Sequence, residues 1–257
     1  MKKWLLVAAM AATASSGMVQ AKEWKTVRFG IEGAYPPFSW TEADGSLKGF
    51  DVDMANALCE ELQVQCKIVA QDWDGIIPSL LARKYDAIIA AVSITEERKQ
   101  KVDFTERYAL IPNKFIAKKG AGLDFDHLDG VKIGVQRATT HDRYLTDVYG
   151  DKVEIVRYGS FDEAYLDLAN GRIAAVLGDA SALEGGVLNK PGGEDYEFVG
   201  PSLTDPKWFG DGFGIATRKQ DKDLTQKLNG AIDSLYEKGI SQKIAAKYFS
   251  YDIFDKK

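Results

Sequence analysis

Residues 85–98 read Tyr-Asp-Ala-Ile-Ile-Ala-Ala-Val-Ser-Ile-Thr-Glu-Glu-Arg, and their pattern indicates the fold class. The apolar, β-branched run from Asp86 to Val92 predicts a buried strand. The polar residues after it predict a helix that begins with a Ser93-x-x-Glu96 capping box. A strand that passes directly into a helix is the repeating unit of α/β folds.

The rest of the chain alternates in the same way. Apolar residues spaced three and four apart predict helices, as at Leu224, Leu228, Ile232 and Leu235. The predicted strands are Thr26–Ile31, Lys67–Ala70, Asp86–Val92, Lys114–Ala117, Lys132–Val135, Glu154–Tyr158, Ala174–Leu177 and Gly214–Thr217. This alternation predicts an α/β fold with mostly parallel sheets.

The composition excludes some classes of function. The chain has 257 residues, with 33 Lys and Arg against 38 Asp and Glu, and a formal net charge of -5. Because no basic excess exists to hold a phosphate backbone, nucleic acid is not an expected partner. Two cysteines are too few for a metal site made of cysteines alone, and we predict no metal and no cofactor.

Residues 1–21 follow the pattern of a cleavable signal peptide. Two lysines precede an apolar run from Trp4 to Ala12, and small residues lead to Ala21. The run breaks well short of the roughly 20 apolar residues that span a bilayer. We therefore expect export and a mature protein outside the cytoplasm.

Export bears on Cys59 and Cys66, because an oxidising compartment lets cysteines pair. Cys59 ends an amphipathic stretch and Cys66 opens an apolar one, so a disulfide would tie a helix end to the next strand. Their Cys-x6-Cys spacing differs from the Cys-x2-Cys of zinc sites. Two buried free thiols are the alternative.

A search for catalytic motifs finds none in the sequence. Gly-x-Ser-x-Gly, His-Glu-x-x-His and Gly-x4-Gly-Lys are all missing. Glu32 and His141 are the candidates for a general acid or base. We predict that the chain is not an enzyme, and a carboxylate pair assembled by folding is the alternative left open.

Features suited to binding lie where predicted strands end. The helix amides after Ser93, with Arg98 one turn on, suit a carboxylate, and a second helix start lies at Thr139. Glu32 follows the first strand and Asp179 the strand ending at Leu177, where ligand sites gather in α/β sheets. The alternative is that the residues at Ser93, Thr139 and Asp179 only cap helices and that Arg98 is solvated.

Six motifs in fixed order carry a family resemblance. They are Glu32-x-x-Tyr-x-Pro-Phe38, Gly49-Phe-Asp-Val-Asp-Met54, Trp73-Asp-Gly-Ile-Ile-Pro78, Tyr85-Asp-Ala-Ile-Ile89, Ser93-Ile-Thr-x-x-Arg98 and Phe209-Gly-Asp-Gly212. With the export signal and the Cys-x6-Cys pair, they resemble the periplasmic amino-acid-binding proteins of ABC importers. The resemblance is to the branch that binds lysine, arginine, ornithine, histidine and opines, and it covers essentially all of the mature chain.

The resemblance implies a periplasmic binding protein of type II fold, with two α/β lobes and two hinge crossings that close on the ligand. Lobe one would be residues 22–109 and 213–257, and lobe two 114–203. The hinge segments would be 110–113 and 204–212. The resemblance further implies a periplasmic monomer that delivers a basic amino acid to an ABC permease in the inner membrane.

The resemblance also assigns ligand contacts. Arg98 and the amides at Ser93 and Thr139 would hold the ligand α-carboxylate, and Asp179 its α-ammonium. The predicted ligand-binding residues are Glu32, Tyr35, Trp73, Ala90, Ala91, Ser93, Arg98, Gln136, Thr139 and Asp179. This set suits a basic amino acid, because it offers an arginine for one carboxylate and two acids for two cations.

Departures from the family pattern bear on which ligand is preferred. Tyr35 and Trp73 would sandwich the ligand methylenes, and Glu32 would meet a distal cation. Lysine, arginine and ornithine binders of this branch often have aspartate in place of Glu32 and serines in place of Ala90 and Ala91. The changes favour arginine, or a bulkier arginine-derived opine, over lysine.

Alternatives remain for the same site. An opine would bring an extra carboxylate, which Gln136 and Arg137 could reach, and Arg137 could equally be a solvated surface residue. Histidine is another ligand of the branch. An enzyme on the same fold, or a sensor module that signals to a membrane kinase, are alternatives in other functional classes.

Overall fold

The structure is a computed structural model that describes residues 23–254, so the predicted signal peptide lies outside the described residues. Its strands are β1 (Thr26–Ile31), β2 (Ala34–Tyr35), β3 (Ser39–Thr41), β4 (Leu47–Lys48), β5 (Gln65–Ala70), β6 (Ala87–Ile88), β7 (Asp103–Ala109), β8 (Asn113–Lys118), β9 (Lys132–Gln136), β10 (Glu154–Tyr158), β11 (Ala175–Asp179), β12 (Tyr196–Leu203) and β13 (Phe213–Thr217). Its α-helices are α1 (Phe50–Glu61), α2 (Ile76–Leu81), α3 (Glu96–Lys101), α4 (Thr140–Tyr144), α5 (Phe161–Ala169), α6 (Ala180–Leu183), α7 (Pro206–Phe209), α8 (Lys222–Glu237) and α9 (Ile240–Ala245).

Across residues 23–254 ten of the strands form two five-stranded sheets, ordered β5-β1-β6-β13-β7 and β10-β9-β11-β8-β12. In each of these sheets a single strand, β13 or β8, runs opposite to the other four. The short strands β2, β3 and β4 form a small third sheet directly after β1. The predicted α/β fold with mostly parallel strands is confirmed.

Each large sheet belongs to one of two lobes. The chain leaves the first sheet after Ala109 and enters the second at Asn113. It leaves the second sheet after Leu203 and returns to the first at Phe213. On this strand membership we propose the predicted lobe boundaries, with hinge segments 110–113 and 204–212.

In lobe one, α8 buries its predicted apolar stripe against the sheet. Leu224, Leu228, Ile232 and Leu235 are all buried on α8. A disulfide joins Cys59 near the end of α1 to Cys66 in β5, with the two Cα atoms 5.6 Å apart, so the predicted pairing is confirmed. Burial of apolar side chains is the main stabilising term for such a lobe.

The structure corrects the segment between β6 and α3. The predicted strand Asp86–Val92 is shortened to Ala87–Ile88, and Ala91 has a left-handed φ of 47°. The predicted Ser93-x-x-Glu96 capping box is wrong, because Thr95 is the residue whose side chain accepts from the Arg98 amide. The strand pairing of β6 ends where the chain turns into the space between the lobes.

Two features are absent from residues 23–254. None of the helices there combines the length and the apolar character needed to cross a bilayer. Nor do His, Cys, Asp and Glu side chains in that range gather in threes as metal ligands would.

Candidate functional site

A cavity of about 20 Å³ lies between the two lobes and is lined from both sides. That volume has room for about one water molecule. The lining residues are Glu32, Tyr35, Trp73, Ala90, Ala91, Ser93, Arg98, Gln136, Thr139, Thr140, His141, Phe161 and Asp179. The structure therefore brings together every residue predicted to bind ligand. A larger groove of about 750 Å³ opens beside it at Trp73, Arg98 and Thr139.

Arg98 is the cation of the cavity. Its Nη1 donates to the Ser93 carbonyl at 3.0 Å, and its guanidinium lies 5.3 Å from the Trp73 ring centroid, within cation–π range. Burial disfavours the charged form and lowers the pKa of Arg98 to about 10, so the side chain stays cationic at neutral pH.

The second helix start meets the cavity at Thr139, which is the N-cap of α4. Its hydroxyl accepts from the Asp142 amide at 3.2 Å and donates to the Gln136 carbonyl at 2.7 Å. The opening amides of α4 therefore belong to Thr140 and His141, which line the cavity as well.

Asp179 ends β11 and is buried against the opposite lobe. Its carboxylate accepts a hydrogen bond from the Tyr35 hydroxyl across the cavity rather than capping α6. Burial raises the pKa of Asp179 to about 7, against the lowering effects of the Tyr35 bond and the nearby Arg98. A helix cap therefore does not account for this aspartate.

Glu32 is the second carboxylate, after Asp179, that contacts the opposite lobe. The Gln136 amide donates to Glu32 at 2.5 Å and to the Gly159 carbonyl at 3.0 Å. Burial raises the pKa of Glu32 to about 7, the Gln136 bond lowers it, and the negative charge of Asp162 raises it further. Glu32 is thus a desolvated acid without an opposite charge among its hydrogen-bond partners in residues 23–254.

Aromatic rings form the remaining walls. Tyr35 from lobe one packs against Phe161 from lobe two, with ring centroids 5.1 Å apart. The Trp73 indole donates to the Ala138 carbonyl at 3.3 Å across the lobes. These rings offer flat apolar faces beside the charged groups.

Ion pairs also join the lobes outside the cavity. Arg137 pairs with Asp74, so its side chain lies at the rim and not among the lining residues. Arg143 pairs with Glu97 at 3.2 Å. Both pairs are formed with the lobes closed.

Thr140, His141 and Phe161 also line the cavity but were not among the predicted ligand-binding residues, and His141 was predicted only as a candidate acid or base. His141 is buried, its Nε2 lies 2.7 Å from the Asn113 side-chain oxygen, and burial with the nearby Arg98 lowers its pKa to about 3. It is therefore a neutral imidazole, and it lines the cavity from α4.

Comparisons with known proteins give consistent matches. The family model of bacterial extracellular solute-binding proteins, family 3, matches residues 27–251. The L-arginine-binding protein of Pseudomonas aeruginosa is 50% identical over 257 residues, 99% of each chain. The lysine/arginine/ornithine-binding periplasmic protein of Escherichia coli is 39% identical, over 99% of each chain.

A solved structure agrees with these matches. It is a Salmonella typhimurium periplasmic binding protein described for its high arginine specificity. It superposes with a TM-score of 0.82 and 36% identity, over 88% of this chain and 100% of that one.

Proposed function

Because the chain belongs to family 3 of the bacterial extracellular solute-binding proteins, we propose that it captures a basic L-amino acid, L-arginine above lysine and ornithine. It would deliver that ligand in the periplasm to the permease of an ABC importer. The observation that carries the proposal is a single cavity that holds Arg98, Glu32 and Asp179. One cation and two anions complement a ligand with one carboxylate and two cations.

Each charged residue has a proposed partner on the ligand. Arg98 and the opening amides of α4 hold the α-carboxylate, since both supply N–H donors to one place. Asp179 accepts from the α-ammonium in place of the Tyr35 hydroxyl. Glu32 meets the guanidinium, and the Tyr35 and Trp73 rings flank the methylenes.

Ligand entry requires the lobes to separate. The cavity has room for about one water, far less than an amino acid occupies. Separation breaks the rim pairs of Arg137 with Asp74 and of Arg143 with Glu97. Reclosure around the ligand is the hinge motion typical of two-lobed binding proteins.

We propose a binding protein and not an enzyme. The relatives compared above are named as binding proteins. Recovery of chemically unchanged ligand after incubation with stoichiometric protein supports this, and product formation from small amino or keto acids contradicts it.

A thermal-shift panel tests the proposed function. The chain is unfolded, dialysed and refolded to remove bound ligand, then heated with arginine, lysine, ornithine, histidine, octopine and uncharged amino acids. Ligand that binds the folded form raises the melting midpoint, so arginine should give the largest rise. A panel in which basic amino acids give no rise contradicts the proposal, and a larger rise with octopine or histidine reassigns the ligand.

Replacing Glu32 with glutamine should reduce selectivity for a cationic side chain. The variant keeps the shape of Glu32 but removes the charge that faces the guanidinium, so arginine affinity should fall about tenfold or more. The affinity for citrulline, whose side chain is a neutral analogue of that of arginine, should fall much less. Calorimetric titration with both ligands measures the ratio, and Glu60→Gln on the exposed face of α1 is the control. An unchanged ratio contradicts the role of Glu32.

Arginine affinity should rise with pH up to about 7 and then level off. The pKa of Glu32 and of Asp179 is about 7, and a cationic ligand needs both carboxylates ionised, so binding below pH 7 releases protons. Each carboxyl that releases a proton changes the affinity by about tenfold per pH unit. Titrations from pH 5 to 8 measure the slope, and Glu32→Gln should reduce it. A flat profile contradicts the assignment.

The same groups predict how ligand-free stability varies with pH. Their pKa values lie above the ordinary 4.5 and 3.8, so they contribute stability that is fully present below about pH 4. That contribution is lost as the pH rises through about 7. Bound arginine offsets this loss of stability, because it supplies positive charge to the two ionised carboxylates.

A further inference from the structure

A buried carboxylate lies behind the cavity wall. Asp51, in the first turn of α1, is fully buried. Its Oδ2 accepts from the Ala91 amide at 2.9 Å, and its Oδ1 accepts from the Tyr108 hydroxyl at 2.9 Å. The Tyr108 oxygen also accepts from the Ala91 amide at 3.1 Å. The three groups form a closed hydrogen-bonded ring that none of the ligand contacts above uses.

The ring holds an unfavourable backbone conformation. Ala91 has a φ of 47°, in the left-handed region where a Cβ atom crowds the following carbonyl. This bend ends the β6 ladder and turns the chain so that Ala90, Ala91 and Ser93 all line the cavity. A relaxed Ala91 would point this segment elsewhere.

Lobe two repeats the arrangement. Ala138 has a left-handed φ of 59°, and its amide donates to the Asp142 carboxylate at 3.2 Å. Ala138 directly precedes Thr139, which lines the cavity. Strained residues held by their surroundings cluster at functional sites, and here one stands beside the wall segment of each lobe.

We propose that Asp51 is a positioning residue for ligand binding. Together with Tyr108 it holds Ala91 in the left-handed conformation, which presents the 90–93 backbone to the amino-acid end of the ligand. Asp51 does not touch the ligand and acts through Ala91. The ligand readout of this inference rests on the proposed function.

A double-mutant cycle tests the link between Asp51 and Ala91. Asp51→Leu removes both side-chain hydrogen bonds at similar volume, and Ala91→Gly removes the steric cost of the left-handed backbone. L-arginine is titrated into the wild type, each single variant and the double variant. Asp51→Leu should weaken binding about tenfold or more in the wild-type background and at least about threefold less in the Ala91→Gly background. Equal losses in the two backgrounds, or no loss, overturn the proposal.

Hydrogen exchange gives a readout that needs no ligand. In Asp51→Leu the Ala91 amide should exchange about tenfold faster or more, because its hydrogen-bond partners are lost or displaced. The Ile89 amide, which donates to the Gly30 carbonyl at 3.1 Å, is the internal reference and should stay within about threefold. Unchanged exchange at Ala91 overturns the proposal. If wild type binds no basic amino acid, the proposed function fails while this measurement still decides the role of Asp51.

Tyr108→Phe serves where Asp51→Leu does not fold. It removes the Tyr108 hydroxyl from the hydrogen-bonded ring and keeps the stacking of the aromatic side chain on Phe50. The Ala91 amide should exchange faster and arginine should bind about threefold more weakly. If neither the exchange rate of the Ala91 amide nor the arginine affinity changes, the proposal is overturned.

Discussion

The Arg98→Ala variant is expected to lose most of its affinity for L-arginine. Arg98 is the cavity's cation, and its removal leaves the ligand α-carboxylate in a desolvated site without its charge partner. Truncating one member of a buried, hydrogen-bonded charge pair costs about 2 to 5 kcal/mol. That corresponds to roughly 30- to 5,000-fold in the dissociation constant.

Calorimetric titration with L-arginine measures the loss. Arg172→Ala is the matched control, because Arg172 forms an exposed pair with Asp167 on lobe two. Exposed ion pairs contribute little, so the control should bind as the wild type does. The Arg98→Ala variant should still unfold cooperatively. Wild-type affinity in that variant would show that Arg98 does not hold the ligand carboxylate.

The Asp179→Asn variant is expected to lose affinity roughly 100-fold, about 2.7 kcal/mol. Asparagine keeps the shape of Asp179 but replaces a charge-assisted bond to the α-ammonium with a weaker neutral one. In the ligand-free protein Asp179 accepts from Tyr35, so the variant weakens that contact too. The loss on ligand binding should dominate, because it removes attraction between two full charges.

An analogue of arginine that lacks the α-amine separates a ligand-binding role of Asp179 from a structural one. Arginine without its α-ammonium should bind the wild type weakly and should gain nothing from Asp179. The variant and the wild type should therefore bind that analogue with affinities within about threefold of each other. Asp126→Asn, at an exposed position on lobe two, is the control substitution. Equal arginine affinity in wild type and Asp179→Asn would refute the assignment.

Much of the fold follows from local sequence pattern. The strands at Thr26–Ile31 and Glu154–Tyr158 were predicted with their observed bounds. The strand Asp103–Ala109 was missed because polar and charged residues interrupt its apolar pattern. The strand Tyr196–Leu203 was missed because it contains Gly200 and Pro201, which are typical of turns.

The errors near the site have a different cause, which is contact over long separations. The strand through Val92 was predicted too long, because Ala91 is bent by Asp51, forty residues earlier in the chain. Phe161 was missed because it reaches the cavity through its contact with Tyr35 in the other lobe. Neither contact leaves a periodic signal in the sequence.

The residues predicted to bind ligand all line the cavity, because most of them stand at strand ends and helix starts. The carboxyl ends of strands meet at one edge of an α/β sheet, so Glu32 and Asp179 each reach the edge of their own sheet. The family resemblance supplied what position alone could not, namely that the two edges face each other. A side-chain cap at Asp179, one of the alternatives, is not formed, because its carboxylate accepts from Tyr35 and makes no cap hydrogen bond to α6.

We propose that charges at both ends of one cavity select a basic L-amino acid. Calorimetric titration of refolded, ligand-free protein with L-arginine, citrulline and agmatine tests it most directly. Citrulline lacks the side-chain cation and agmatine lacks the α-carboxylate. L-arginine should bind at least about 100-fold more tightly than either analogue, because each one leaves a buried charge unpaired. Citrulline or agmatine binding as tightly as L-arginine would show that the charges of the cavity do not select the ligand.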